Sequence, residues 1–219
     1  MRSYGEYCAV AKALDVIGDR WTLLIVRELA LRGGCRYTDL RKGLPGIATN
    51  LLAERLRELE QAGIVSREEA PPPIATTLFH LTPRGQELRP VIDDLFRWGL
   101  PLMTEQKPDD AVRSHWLAGA LEAMLSDRFP EQPPVEIELR TGDQPIVVKV
   151  AGGTVRTSSG AAASPGLVVT GEARPIMGLL LGLLEPEDAQ AAGVECRGEL
   201  RVLDRILTPH SVRAIDLRR

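Results

Sequence analysis

The sequence predicts a mixed fold in two parts. A mainly-α N-terminal domain containing one hairpin is followed by a C-terminal α+β domain whose mostly antiparallel sheet is covered by helices. Three observations carry this prediction. Apolar residues recur at helical spacing through most of residues 9–103, interrupted between 64 and 82 by two strand-like runs. Apolar–polar alternation with glycine-bearing turns dominates 135–171. Between these regions "TEQKPDD" (104–110) is polar, carries a proline and fits neither period, so the domains are placed at 1–104 and 110–219.

The bulk properties agree. A chain of 219 residues can bury two ordinary cores. A content of 44% hydrophobic and 26% charged residues belongs to a globular protein and excludes a disordered one. The longest apolar run, "PIMGLLLGLL" (175–184), is about half of what a bilayer crossing needs, and no charged segment with an apolar core opens the chain. A cytoplasmic location without a membrane partner is expected. Cys8, Cys35 and Cys196 are odd in number, far apart and form no C-x-x-C pair. Neither a disulfide framework nor a zinc site follows, and free thiols fit a reducing compartment.

Helical periodicity runs through "CAVAKALDVIG" and "RWTLLIVRELALRGG", stopped by Gly18 and by Gly33-Gly34. A short third helix, "YTDLRKGL", ends at Pro45-Gly46. Next comes "LPGIATNLLAERLRELEQAGIV" (44–65), in which Leu52, Leu56 and Leu59 line one face of a helix while Thr49, Asn50, Ala53, Arg57 and Glu60 fall on the other. "IVSREEA" and "TTLFHLT" form a hairpin around "PPPIA", and "PRGQELRPVIDDLFRWGLPLM" returns to helical spacing, with Leu88, Ile92, Leu95 and Trp98 or Phe96 as its stripe. Three helices, a hairpin and a helix make the order of a winged helix-turn-helix.

In that architecture the helix before the hairpin, here 48–61, enters the major groove of DNA with its N-terminal residues against base edges. Its first turn carries no charge. Asn50 can offer a donor and an acceptor to adenine, Thr49 can bond or touch a thymine methyl, and Ala53 lets the next turn approach the groove floor. Arg55 and Arg57 lie further back, toward phosphates. Between Arg32 and Arg67 seven basic residues (Arg32, Arg36, Arg41, Lys42, Arg55, Arg57, Arg67) face four acidic ones (Asp39, Glu54, Glu58, Glu60), a local bias that suits phosphate contact although the whole chain carries −3. The competing explanation is that Thr49 or Asn50 is simply the helix N-cap.

These pieces resemble, in order and spacing over residues 7 to about 100, the HxlR-type family of bacterial transcriptional regulators. The shared features are a cysteine near the N-terminus, "IGDRW", "YTDL", the segment "GIATNLLAERLRELEQAGIV" and "LTPRG" after the wing. The resemblance implies a homodimer on paired half-sites of promoter DNA, with dimer contacts falling to the N-terminal helix and to "LFRWGLPLM". It also implies that Cys8 can act as a sensor of oxidants or electrophiles, with Lys12 and the helix start lowering its pKa; the competing explanation is a small buried hydrophobe. Two departures stand out. The wing base carries Glu68 and Glu69 where a basic residue is common, and Ala48 replaces a small polar residue, which moves capping to Thr49.

The second half opens with "AVRSHWLAGALEAMLSDRF", a helix with Val112, Trp116, Ala120 and Met124 on one side. In "VEIELR" Val135, Ile137 and Leu139 face the core and Glu136, Glu138 and Arg140 face water; "PIVVKV", "TVRTS" and "GLVVTG" follow as strands. Residues 110 to about 210 resemble a sterol-carrier-protein-like domain in "LVVTGEARPIMGLLLGLLEPEDAQAAGVECRGELRVLDRIL". That resemblance implies an apolar tunnel for a hydrophobic small molecule, bordered by Ile176, Leu179, Leu180, Leu183 and Leu184. Ordinary core packing explains the same residues equally simply.

No P-loop, dinucleotide fingerprint, nucleophile elbow or H-E-x-x-H occurs, and His80, His115 and His210 stand alone. Neither catalysis nor a cofactor or metal is expected. The leading expectation is a regulator whose DNA binding responds to a hydrophobic effector. The alternatives are a small-molecule carrier that uses the winged helix only to dimerise, and a thiol-based sensor acting through Cys8.

Overall fold

A computed structural model of the chain describes residues 3–70, 76–103, 107 and 109–207. "PPPIA" and His210 lie outside the described residues. The chain divides into two compact units, Met1–Leu95 and Phe96–Arg219. The division falls before the polar 104–110 segment because Phe96 and Leu100 already pack with the core of the second unit.

In the first unit α1 (Ala9–Ile17) and α2 (Thr22–Arg32) precede a two-residue strand β1 (Cys35–Arg36), α3 (Tyr37–Gly43) and α4 (Thr49–Gln61). The hairpin β2 (Val65–Ala70) and β3 (Thr76–Leu81) pairs Val65 with Leu81 through Ala70 with Thr76. β1 joins the outer side of β3, giving the order β1-β3-β2. Helices and hairpin close over Ile25, Leu29, Leu40, Leu44, Leu52, Leu56, Leu59 and Ile64. The expected winged helix-turn-helix order is therefore present.

The "LTPRG" segment has a definite task. The Thr82 hydroxyl accepts the Gly85 amide at 3.0 Å, starting α5 (Pro83–Gln86), and donates to the Gly63 carbonyl at 2.6 Å. A Cβ at position 85 would collide with the Ile64 carbonyl, so only glycine lets this turn seat against the end of α4's loop. The single long helix read from 83 onward is broken. Pro90 has no amide to donate, and its ring would clash with the Gln86 carbonyl, so α6 (Arg89–Gly99) starts afresh and a 3-10 turn (Leu100–Leu102) ends it at Pro101.

The second unit contains α7 (Ser114–Met124), β4 (Ser126–Asp127), β5 (Val135–Arg140), β6 (Ile146–Ala151), β7 (Thr154–Ser159), β8 (Leu167–Thr170), α8 (Ala173–Leu180), α9 (Pro186–Ala191), β9 (Glu195–Gly198), a 3-10 turn (Leu200–Arg205) and β10 (Ile206–Leu207). Five strands order as β7-β6-β5-β8-β9, antiparallel except for β8, which runs parallel to β5. β10 and β4 form a separate antiparallel pair. Ile137, Leu139, Val148 and Val169 of the sheet pack with Leu121 and Met124 of α7 and Ile176 of α8.

Two expectations need correction here. α7 begins at Ser114, so Val112 precedes it, and its buried stripe is Leu117, Ala120, Leu121 and Met124, with Trp116 only half-buried. The start is set by Asp143, whose carboxylate accepts the Ser114 amide at 3.0 Å from the β5–β6 turn, where Gly142 adopts φ +70°. Glu138, placed in water by alternation, is 2% exposed: Arg140 Nε donates to it at 2.7 Å and the Ala162 amide at 2.8 Å, because residues leading into β8 cover that face. Among the described residues no helix is long and apolar enough to cross a membrane.

Candidate nucleic-acid interface

Three buried leucines, Leu52, Leu56 and Leu59, seat α4 in the first core; burial contributes about 1.5–3 kcal/mol for each. The opposite face is exposed at Thr49, Asn50, Glu54 and Arg57, with Ala53 half-buried. The helix begins more simply than expected. Its N-cap is Ala48, whose side chain caps nothing, so Thr49 is the first helical residue and neither it nor Asn50 serves as the cap. Their side chains remain exposed on the outward face. Tyr37 of α3 steadies this turn, its hydroxyl donating to the Thr49 carbonyl at 2.6 Å.

The basic residues separate into two groups. Arg55 keeps 19% of its side chain exposed and lies between Asp19, at 3.4 Å, and Glu58, tying α4 to the loop before α2. Arg67 pairs with Glu60 at 3.2 Å. Arg36, Arg41, Lys42 and Arg57 are exposed and form no ion pair among the described residues; Arg57 Nε donates along its own helix to the Ala53 carbonyl at 3.3 Å. These four cations are therefore available to an outside partner, whereas Arg55 is committed within the fold. At the wing, Glu69 accepts the Thr77 hydroxyl at 2.7 Å and Glu68 lies 3.7 Å from His80, so the stem is acidic. His115 stacks edge-on against Trp116, ring centroids 5.8 Å apart.

The apolar pattern of α2 does not disclose its two buried polar residues, Thr22 and Glu28. Glu28 is fully buried in α2, takes a hydrogen bond from Arg27 Nη2 at 2.8 Å, and presses on the backbone of Gly43. It braces the end of α3, the helix that precedes the turn into α4. Burial of a glutamate cannot be read from a helical period that counts only apolar residues.

Cys8 is exposed at the N-cap position of α1, and the amides of Ala11 and Val10 hold its thiol below the usual value. Lys12 does not share in this; it pairs with Asp15 at 3.6 Å. Cys35 is the opposite case, its thiol pushed up to about 11 by burial. Two apolar stripes are exposed: Tyr7 just before α1 with Val10 and Leu14 along it, and Val91, Leu95, Trp98 and Leu102 along α6 and its 3-10 extension, with Trp98 73% exposed.

In the second unit Ile176, Leu179 and Leu180 are buried in the sheet–helix core, and Leu183 and Leu184 are partly buried against it. The five residues are brought together, as packing around the sheet. Asp127 and Arg205 form a buried ion pair: Arg205 Nη2 lies 2.9 Å and Nε 3.2 Å from the carboxylate, and Nη1 donates to the Pro133 carbonyl at 2.5 Å. Burial alone would raise the Asp127 pKa, but Arg205 and the amides of Phe129 and Gly153 outweigh it and hold it below the ordinary value.

A three-helix core, a hairpin wing and an exposed helix tip define the class of winged helix-turn-helix regulators. Residues 16–107 match the HxlR-like helix-turn-helix family, and the chain belongs to that family. Its relatives include the uncharacterized HTH-type transcriptional regulator YvaP of Bacillus subtilis (strain 168), 36% identical over 87 residues that cover 40% of this chain and 80% of that protein. The uncharacterized HTH-type transcriptional regulator sll1512 of Synechocystis is 35% identical over 95 residues, 43% of this chain and 70% of the relative. The HTH-type transcriptional regulator YodB of Bacillus subtilis (strain 168) is 35% identical over 86 residues, 39% of this chain and 76% of the relative.

Proposed function

We propose that the protein is a non-enzymatic transcriptional regulator that binds double-stranded promoter DNA as a homodimer, with α4 in the major groove. The observation that carries this reading is the outward face of α4. Thr49 and Asn50 are exposed and free of capping duty, while Arg41, Lys42, Arg57 and Arg36 stand without ion pairs among the described residues. The short polar groups would meet base edges and the cations would meet phosphates. The exposed stripes of α1 and α6 supply the dimer surface, since contiguous apolar patches on a soluble chain are otherwise costly. A dimer places two recognition helices about 34–36 Å apart on successive grooves.

The same proposal gives the second unit the role of an effector-responsive domain. A hydrophobic molecule that favours another helix separation would weaken binding by linkage. The candidates for its contact are Ile176, Leu179, Leu180, Leu183 and Leu184, which pack together against the sheet and would have to part to admit it. A second reading, thiol sensing through Cys8, rests on its exposure and its lowered pKa at the start of α1.

The test is an anisotropy titration of the full chain on its own upstream duplex and on a shuffled duplex at several salt concentrations, with sedimentation velocity on the same samples. Selective, salt-dependent binding by a dimer is expected. Equal binding to both duplexes, or none, together with a copurifying apolar molecule in native mass spectrometry, would instead make the protein a carrier.

A further inference from the structure

The outward face of α4 carries one group that a surface built only for phosphate would not hold. Glu54 is exposed, one turn beyond Asn50 and three residues before Arg57. It makes neither an ion pair nor a hydrogen bond among the described residues, although Arg57 is within helical reach and its Nε is engaged by the Ala53 carbonyl. The neighbouring glutamates behave differently: Glu58 is taken by Arg55 and Glu60 by Arg67.

On a 3.6-residue repeat Asn50, Glu54 and Arg57 form the ridge directly opposite Leu52, Leu56 and Leu59, and those three leucines are buried. Any groove that receives Asn50 therefore receives Glu54. A carboxylate there is repelled by the phosphates on both walls unless it gains a specific donor. In the major groove the donors on base edges are the exocyclic amines of cytosine and adenine. Adenine sets its ring nitrogen, an acceptor, beside the amine, which an acceptor-only carboxylate cannot satisfy. Cytosine offers its amine without that second acceptor.

We propose that Glu54 is a specificity-determining residue that accepts a hydrogen bond from the N4 amine of a cytosine in each half-site, one helical turn from the base met by Asn50. The inference rests on the reading of α4 as the recognition helix and names what that helix selects. It also assigns the carboxylate a second effect, exclusion: a half-site with thymine or guanine on the same strand at this position presents Glu54 with acceptors alone.

The experiment is selection from a randomised duplex library by the full chain, by Glu54→Ala and by Glu54→Gln, followed by titration of the preferred duplex and its single-base variants. Position 54 is exposed, so both variants keep the fold, which circular dichroism checks. The wild type is expected to require cytosine at one position per half-site by about ten- to a hundredfold. Glu54→Ala should lose that requirement while binding shuffled DNA more tightly. Glu54→Gln should move the preference toward adenine, which matches a carboxamide's donor and acceptor. If the wild type is selective and both variants select the same sequence, Glu54 reads no base and the proposal alone fails. If the wild type selects no sequence at all, the recognition-helix reading fails with it.

Discussion

The hydroxyl of Tyr37 donates to the main-chain carbonyl of Thr49 across 2.6 Å, so the first turn of α4 is held by the helix before it rather than by a capping side chain of its own. Tyr37→Phe removes only this bond. A stability loss of about 0.5–1.5 kcal/mol is expected from chemical denaturation, with a larger fractional loss in selective DNA affinity. An unchanged affinity would mean that the leucine seat of α4 suffices to aim the tip.

Asn50, Arg57 and Arg55 should separate cleanly. Asn50→Ala is expected to relax preference at one base position by about 1–3 kcal/mol without loss of stability, because Asn50 caps nothing. Arg57→Ala should weaken binding to all duplexes and reduce the salt slope by about 1. Arg55→Ala should lower the melting temperature, through an ion-pair loss of about 0.5–1 kcal/mol, since its guanidinium is committed to Asp19 and Glu58. Parallel titrations and melting curves separate the three effects; the same loss of affinity and stability in all three variants would contradict this division of roles.

Breaking the Asp127–Arg205 pair leaves a buried charge alone. Arg205→Met should cost about 3–5 kcal/mol, read by hydrogen exchange in β5, while a companion Asp127→Leu change recovers much of it. The pH dependence has a definite sign. The folded pKa of Asp127 is lowered, so its contribution is complete above the ordinary aspartate value of about 3.9 and disappears as pH falls below it through the folded value. Acid unfolding of the Asp127→Asn variant should therefore lack this component; identical acid limbs in both proteins would contradict the assignment.

The two N-terminal thiols should react at very different rates. Exposed Cys8, with its lowered pKa, is expected to alkylate at neutral pH within the native state, whereas buried Cys35 should wait for unfolding. Peptide mass spectrometry after timed iodoacetamide treatment resolves them. If oxidant alters DNA binding, Cys8→Ser should abolish that response; its persistence in the variant removes Cys8 from the sensing reading.

Local periodicity made α4 legible, because Leu52, Leu56 and Leu59 can share a face only as a helix and their burial then exposes Thr49, Asn50 and Arg57. The "LTPRG" signal was equally direct, its threonine and glycine tied to one turn. What escaped depends on partners distant in sequence. β1 is two residues long and exists only because β3 lies beside it. β8 runs parallel to β5, a choice that alternation within "LVVT" cannot express. Asp127 and Arg205 are 78 residues apart, so neither announces a buried pair. Glu54 is illegible for another reason: an unpaired acid on a helix face is conspicuous only beside Glu58 and Glu60, whose engagement by Arg55 and Arg67 the sequence does not display.

The backbone of Gly43 rests against the carboxylate of Glu28, with no room for a methyl group between them. A side chain at 43 is consequently possible only with a shorter residue at 28, whereas a shorter residue at 28 makes no demand on Gly43. A mutagenesis library that varies position 43 alone will be depleted there, while joint changes that trade the acid for a smaller residue and the glycine for alanine restore the space the methyl group needs.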